Sequence, residues 1–115
     1  MTGQKHSEKI QEMVTSLGVL VVLRGYKYIM QALNQMLEND ETGSKGIVLK
    51  EIYSNIAQAN ETSHEFVMFD IDNAIHTVSV INSETYKNLF SSLEKSPPSS
   101  SVFLKTLKEQ LAAKT

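Results

Sequence analysis

Residues 47–78 read IVLKEIYSNIAQANETSHEFVMFDIDNAIHTV, and two periodic stretches within them decide the fold. Leu49, Ile52, Tyr53 and Ile56 recur three and four residues apart, the repeat of one helix face. Asn60-Glu61 is a polar turn, and Thr62-Ser63-His64-Glu65 has the spacing of a capping box, with Thr62 as N-cap and Glu65 reaching back. Val67, Ile71, Ala74, Ile75 and Val78 then share one face of a second helix. Two helices joined by so short a turn have the layout of a helix-turn-helix at Ile47 to Val78. The expectation is that the five apolar residues of the second helix bury against Leu49, Ile52, Tyr53 and Ile56.

The same period extends outward in both directions. Ile10, Met13, Val14 and Leu17 form a first apolar stripe, and Gly18 supplies its stop. A second helix starts near Arg24, with Tyr26, Ile29, Met30, Leu33, Met36 and Leu37 inward, and gives way to a polar loop over 38–43. Val19 to Val22 reads as a linker packed on the core. Asn82-Ser83 opens a short fifth helix with Tyr86, Leu89 and Phe90, and the break at Pro97-Pro98 precedes a sixth. There Ser99-Ser100-Ser101 provides the N-cap, and Phe103, Leu104, Leu107 and Leu111 are the apolar positions. The predicted class is all-α, about six helices containing a helix-turn-helix, in a single domain over residues 1–115.

Composition narrows the function. The chain has 115 residues, 41% of them hydrophobic, enough for a modest core without disulfide or metal staples. There is no cysteine, which fits a reducing cytoplasmic setting. The longest apolar run, Val19 to Leu23, is too short for a bilayer span of about 20 residues, so no membrane partner is expected. Net charge is −2, and no Lys or Arg occurs between Lys50 and Lys87. That interval carries Glu51, Glu61, Glu65, Asp70, Asp72 and Glu84, the opposite of the basic stripe that nucleic acid selects. No nucleophile pattern or glycine-rich phosphate loop is present, and the expectation is a non-catalytic protein without cofactor. Asp72 and His76 stand four apart and His64 lies nearby, but they lack the further ligand that a metal site needs. Arg24, the one arginine, reads as a solvated surface residue, with contact to a phosphate or a carboxylate as the alternative.

Several motifs resemble one family. They are Leu17-Gly18-Val19, Arg24-Gly25-Tyr26-x-Tyr28-Ile29-x-x-Ala32 and Lys50-Glu51-Ile52-Tyr53-x-x-Ile56-Ala57. They continue through Thr62, Val67, Ile71, Ala74 and Ile75, then Leu89-Phe90 and Pro98-x-x-Ser101-x-Phe103 with Leu111. In this order, over nearly the whole chain, they resemble the C-terminal DNA-binding effector domain of the endospore-formation master response regulator. The resemblance implies a six-helix domain with a helix-turn-helix that binds DNA in tandem and controls sporulation genes. It also implies a receiver domain ahead of the effector, which is not expected within this chain.

The departure from that pattern lies in the fourth helix. Arginine positions of the family are occupied here by Phe66 and Phe69, and a further basic position by Asp72 beside Asn73. With Val67 at zero on a helical wheel, Phe69 falls at about 200°, directly away from the core. Phe66, Asp72, Asn73 and His76 share the outward half. Three readings of the phenylalanines stand side by side: a cover supplied by the stretch between the fifth and sixth helices, a partner interface, or DNA contact by ring stacking or wedging. For function, two readings also remain open. One is regulation through contact with a protein partner, or through self-association as a homodimer, at Phe66, Phe69, Asp72, Asn73 and His76. The other is a DNA-binding transcription factor whose weak backbone contacts come from Lys45, Lys50 and Lys87.

Overall fold

The computed structural model describes residues 7–20, 23–42, 49–90 and 97–113. Among them there are six helices and no strand: α1 (Ser7–Leu17), α2 (Arg24–Thr42), α3 (Leu49–Ala59), α4 (His64–Ile81), α5 (Glu84–Phe90) and α6 (Ser100–Ala113). The all-α prediction holds. α2 is longer than the sequence reading allowed, because it runs through 38–42 where a polar loop was expected. No glycine or proline interrupts that stretch before Gly43, so its polar residues continue the helix. Ile47 and Val48, the predicted start of α3, lie outside the described residues, as do Val21 and Val22 of the linker.

Helix ends follow from local chemistry. Gly18 closes α1 at φ +99, with its N–H donating to the Thr15 carbonyl and the Val19 N–H to that of Val14. This is the paired-bond ending that favours glycine. α3 ends the same way without one: Glu61 takes φ 55, and the Thr62 and Glu61 N–H groups donate to Ala57 and Gln58. α4 is capped by Ser63, whose hydroxyl accepts from the Phe66 N–H at 3.1 Å, and not by Thr62 as the capping-box spacing predicts. Thr62 is consumed by the ending of α3, which moves the cap one residue on and leaves Glu65 outside the reciprocal box. Ser83 and Ser99 cap α5 and α6 by accepting from Tyr86 and Val102.

Removing the Ser63 hydroxyl leaves a helix N–H without its acceptor. Ser63→Ala is therefore expected to cost about 1 kcal/mol. Thr62→Ala is expected to stay within about 0.5 kcal/mol. Thermal melts of the two variants check the assignment, and a larger loss for Thr62 would contradict it.

The core is the expected one. Val67, Ile71, Ala74, Ile75 and Val78 are all buried, as are Ile52, Tyr53 and Ile56, while Leu49 is partly buried against them. α4 packs on α2, α3 and α6, so its inner face is the centre of the molecule. Tyr26 and Tyr28 are buried in the core as packing residues, and Phe103 stacks on Phe90 with centroids 5.5 Å apart. The Tyr53 hydroxyl donates to Ser100 Oγ at 2.8 Å, tying α3 to the start of α6. Burial pushes the Tyr53 phenol above its ordinary value.

Gly25 fixes how α2 and α4 approach. A Cβ at this position would lie 2.4 Å from the Asp70 carbonyl oxygen and 2.8 Å from Ala74 Cβ. Only a residue without Cβ lets the two backbones come this close. The glycine in Arg24-Gly25-Tyr26 thus sets the seat of α4, and with it the direction in which the outer face points.

Candidate functional site

Because α4 is buried on one side against three helices, its opposite side projects into solvent. Phe66 is 62% exposed and Phe69 60% exposed. Nothing among the described residues covers them, and the 91–96 stretch that was one candidate cover lies outside the described residues. Asp72, Asn73 and His76 are exposed on the same side of the helix. All five residues singled out in α4 therefore share one surface.

That surface is longer than the sequence reading made it. Val80 is 71% exposed one turn beyond His76, and Ile81, whose side chain lies against Gly18, is half exposed. Val80 falls seven residues after Asn73 and fourteen after Phe66, which keeps it on the same stripe. The outer face is thus aromatic at its N-terminal end, polar at its middle and aliphatic at its C-terminal end. The signal for Val80 was present in its spacing, but an apolar residue at a helix end is as readily assigned to the core.

The flanks are acidic or neutral. No Lys or Arg stands anywhere in α4. Asp72 lies on the flank next to α3, where burial raises its carboxyl above the ordinary value. Its charge in turn contributes to raising Tyr53, after desolvation. On the opposite flank Asp70 faces Arg24 across 3.7 Å. Arg24 thus remains a surface residue, with a carboxylate as its neighbour. The guanidinium is 79% exposed, so solvent screening leaves this pair worth under about 1 kcal/mol. Its effect is to turn the Asp70 carboxylate toward α2.

His64 lies against α3, with its ring edge-on to Tyr53 at 5.7 Å and Nδ1 3.3 Å from the Ser54 hydroxyl. It is not drawn to Asp72 and His76 as a third ligand. Among the described residues no three His, Cys, Asp or Glu side chains group as metal ligands would. Of the lysines considered for DNA-backbone contact, Lys50 is exposed at the start of α3 and Lys45 lies outside the described residues. Lys87 sits in α5, where its amine is 3.8 Å from Glu84. No described helix is long and apolar enough to cross a membrane.

The described residues thus form an all-α domain whose central helix is held inside by α2, α3 and α6 and is open to solvent outside. The family model described as sporulation initiation factor Spo0A C terminal matches residues 10–111, and the chain belongs to that family. The family is that of the DNA-binding domain of a sporulation transcription regulator and is not known as enzymatic. Comparison with curated proteins and with solved structures gave no match.

Proposed function

We propose that this sporulation-regulator effector domain works through protein contact on the outer face of α4, within a helix-turn-helix formed by α3 and α4. The observation that carries the reading is the exposed pair Phe66 and Phe69 on a helix that has no Lys or Arg. A helix reading the major groove needs donors for base edges and positive charge for phosphates. This one offers rings and the carboxylates of Glu65 and Asp72, which repel phosphates. Exposed aromatics bordered by polar groups are the usual anchors of protein interfaces. Asp72, Asn73 and His76 form the polar border of this anchor. The whole of residues 1–115 acts as one non-catalytic, cytoplasmic unit in this reading.

The second reading, DNA-binding transcription control, is favoured by family membership itself. Its phosphate contacts would come from Lys45, Lys50 and Lys87, away from the outer face of α4. Lys50 is at the start of α3 and Lys87 already faces Glu84, which makes for few cations.

Titration of the protein against a library of duplexes separates the two. The expected result at physiological salt is weak, sequence-independent binding that falls steeply as salt rises. Sequence-selective binding at nanomolar concentration would overturn the protein-contact reading and establish the second.

A further inference from the structure

A cleft opens where α1, α5 and α6 meet, and no residue of α4 lines it. Its volume is about 430 Å³, within the range of small-molecule sites. The floor is aliphatic: Met13 and Leu111 are buried core residues, and Leu89 is half-buried against the core. The Ser83 hydroxyl donates to the Leu17 carbonyl at 3.3 Å and ties the start of α5 to the end of α1, which fixes two of the walls.

The wall from α1 carries both signs of charge. Lys9 and Glu12 stand three residues apart, neighbours on one helix face, and both line the cleft. In spite of that spacing they form no ion pair with each other, and neither has a hydrogen-bond or ion-pair partner among the described residues. The carboxamides of Asn88 on α5 and Gln110 on α6 line the same cleft and are likewise unpartnered among the described residues. Ser16 gives its proton to the Met13 carbonyl at 2.7 Å, so its oxygen is left to accept.

We propose that this cleft binds a free α-amino acid with an apolar side chain. Such a molecule carries its ammonium and its carboxylate on one carbon, and its side chain leaves the same atom. Between Lys9 and Glu12 both charges are met at once. The carboxylate pairs with the Lys9 ammonium, and the ammonium pairs with the Glu12 carboxylate and the Ser16 oxygen. The side chain then falls on Met13, Leu89 and Leu111. Asn88 and Gln110 both donate and accept, and they complete the pairing from the other walls. A ligand with a single charge meets either Lys9 or Glu12 with the wrong sign, which selects against simple anions and cations. A charged side chain would lose its water over the aliphatic floor, which selects against charged amino acids.

L-Leucine is the probe that tests the site. It is titrated into the full chain while backbone amide and methyl signals are followed by nuclear magnetic resonance. The expected result is saturable shifts at Lys9, Met13, Asn88, Leu89 and Leu111, with a Kd of about 1 mM or tighter, as fits a ligand of this size. Leucinamide lacks the carboxylate and N-acetylleucine lacks the ammonium, and each is expected to bind about tenfold more weakly or worse. Lys9→Met should erase the preference for leucine over leucinamide, and Glu12→Gln the preference over N-acetylleucine. Neither change removes a partner, both keep a good helix former, and circular dichroism melts confirm that each variant folds. Leucylglycine and glycylleucine, whose charges are separated by a peptide bond, are expected to bind more weakly than leucine. A dipeptide that binds more tightly would overturn the free amino acid in favour of a peptide end. Leucine and leucinamide binding alike to the unaltered chain would overturn the paired-charge recognition. Absence of saturable shifts at leucine concentrations far above millimolar would overturn the site itself.

Discussion

Gly25→Ala is expected to destabilise the domain by about 2 kcal/mol or more, although the same change in an exposed helix would stabilise it. The helix-propensity gain on replacing glycine by alanine is about 1 kcal/mol. Against it stands a methyl group placed 2.4 Å from the Asp70 carbonyl oxygen and 2.8 Å from Ala74 Cβ. The nearer atom is backbone in the interior of α4 and has no rotamer through which to retreat. α2 and α4 must separate, and forcing extra volume into a packed core costs about 1–3 kcal/mol, occasionally more. Separation also opens the packing of α2 on α4, so the cost exceeds that of the methyl alone. For a domain of this size, each kcal/mol moves the melting temperature by roughly 4–8 °C. A drop of about 10 °C is therefore expected, and Gly25→Val should be worse. A melt raised by the alanine would show that α4 is seated elsewhere, and the direction assigned to its outer face would be wrong.

The double variant Phe66→Arg, Phe69→Arg is expected to do the reverse: abolish association while leaving the fold intact. Each phenylalanine buried in a partner contributes roughly 1.5–3 kcal/mol. Losing both costs roughly 3–6 kcal/mol by that measure, and each 1.4 kcal/mol is about tenfold, so association falls by more than about a hundredfold. The fold tolerates the change because the rings are 62% and 60% exposed and arginine is a good helix former. A cation in the first turn is mildly unfavourable beside the helix N-terminus. An arginine at 66 lies four residues before Asp70 and one at 69 three before Asp72, which offsets it. Two added positive charges on a helix with no Lys or Arg should also raise general affinity for DNA. Melts, sedimentation and a duplex titration on the one variant check all three statements. A melt lowered by 10 °C or more would place the rings in the core, and unchanged association would strip them of any role in contact.

Much of this was legible in residues 47–78. The face of α4 follows from a repeat that uses five apolar residues with no polar interruption, and helical geometry alone then sends Phe66 and Phe69 outward. Features that depend on two helices meeting were not legible. Arg24 and Asp70 are 46 residues apart, and no local pattern ties them together. The role of Gly25 is a distance between backbones, which spacing along one helix does not encode. The cap of α4 was misplaced by one residue because Thr62 and Ser63 are both good caps, and the ending of α3 decided between them. The extension of α2 to Thr42 shows a weaker rule at work: polar composition signals a loop only when a breaker accompanies it. Val80 was missed because its apolar character points to the core while its position on the wheel points out.

The central claim is that the outer face of α4 meets protein and not DNA. Backbone amide chemical shifts, followed by nuclear magnetic resonance during titration with duplex DNA at physiological salt, test it residue by residue. Amides of Phe66, Phe69, Asn73 and His76 are expected to stay in place on adding DNA. Saturable shifts at those same four amides, produced by one preferred duplex and not by another, would contradict it.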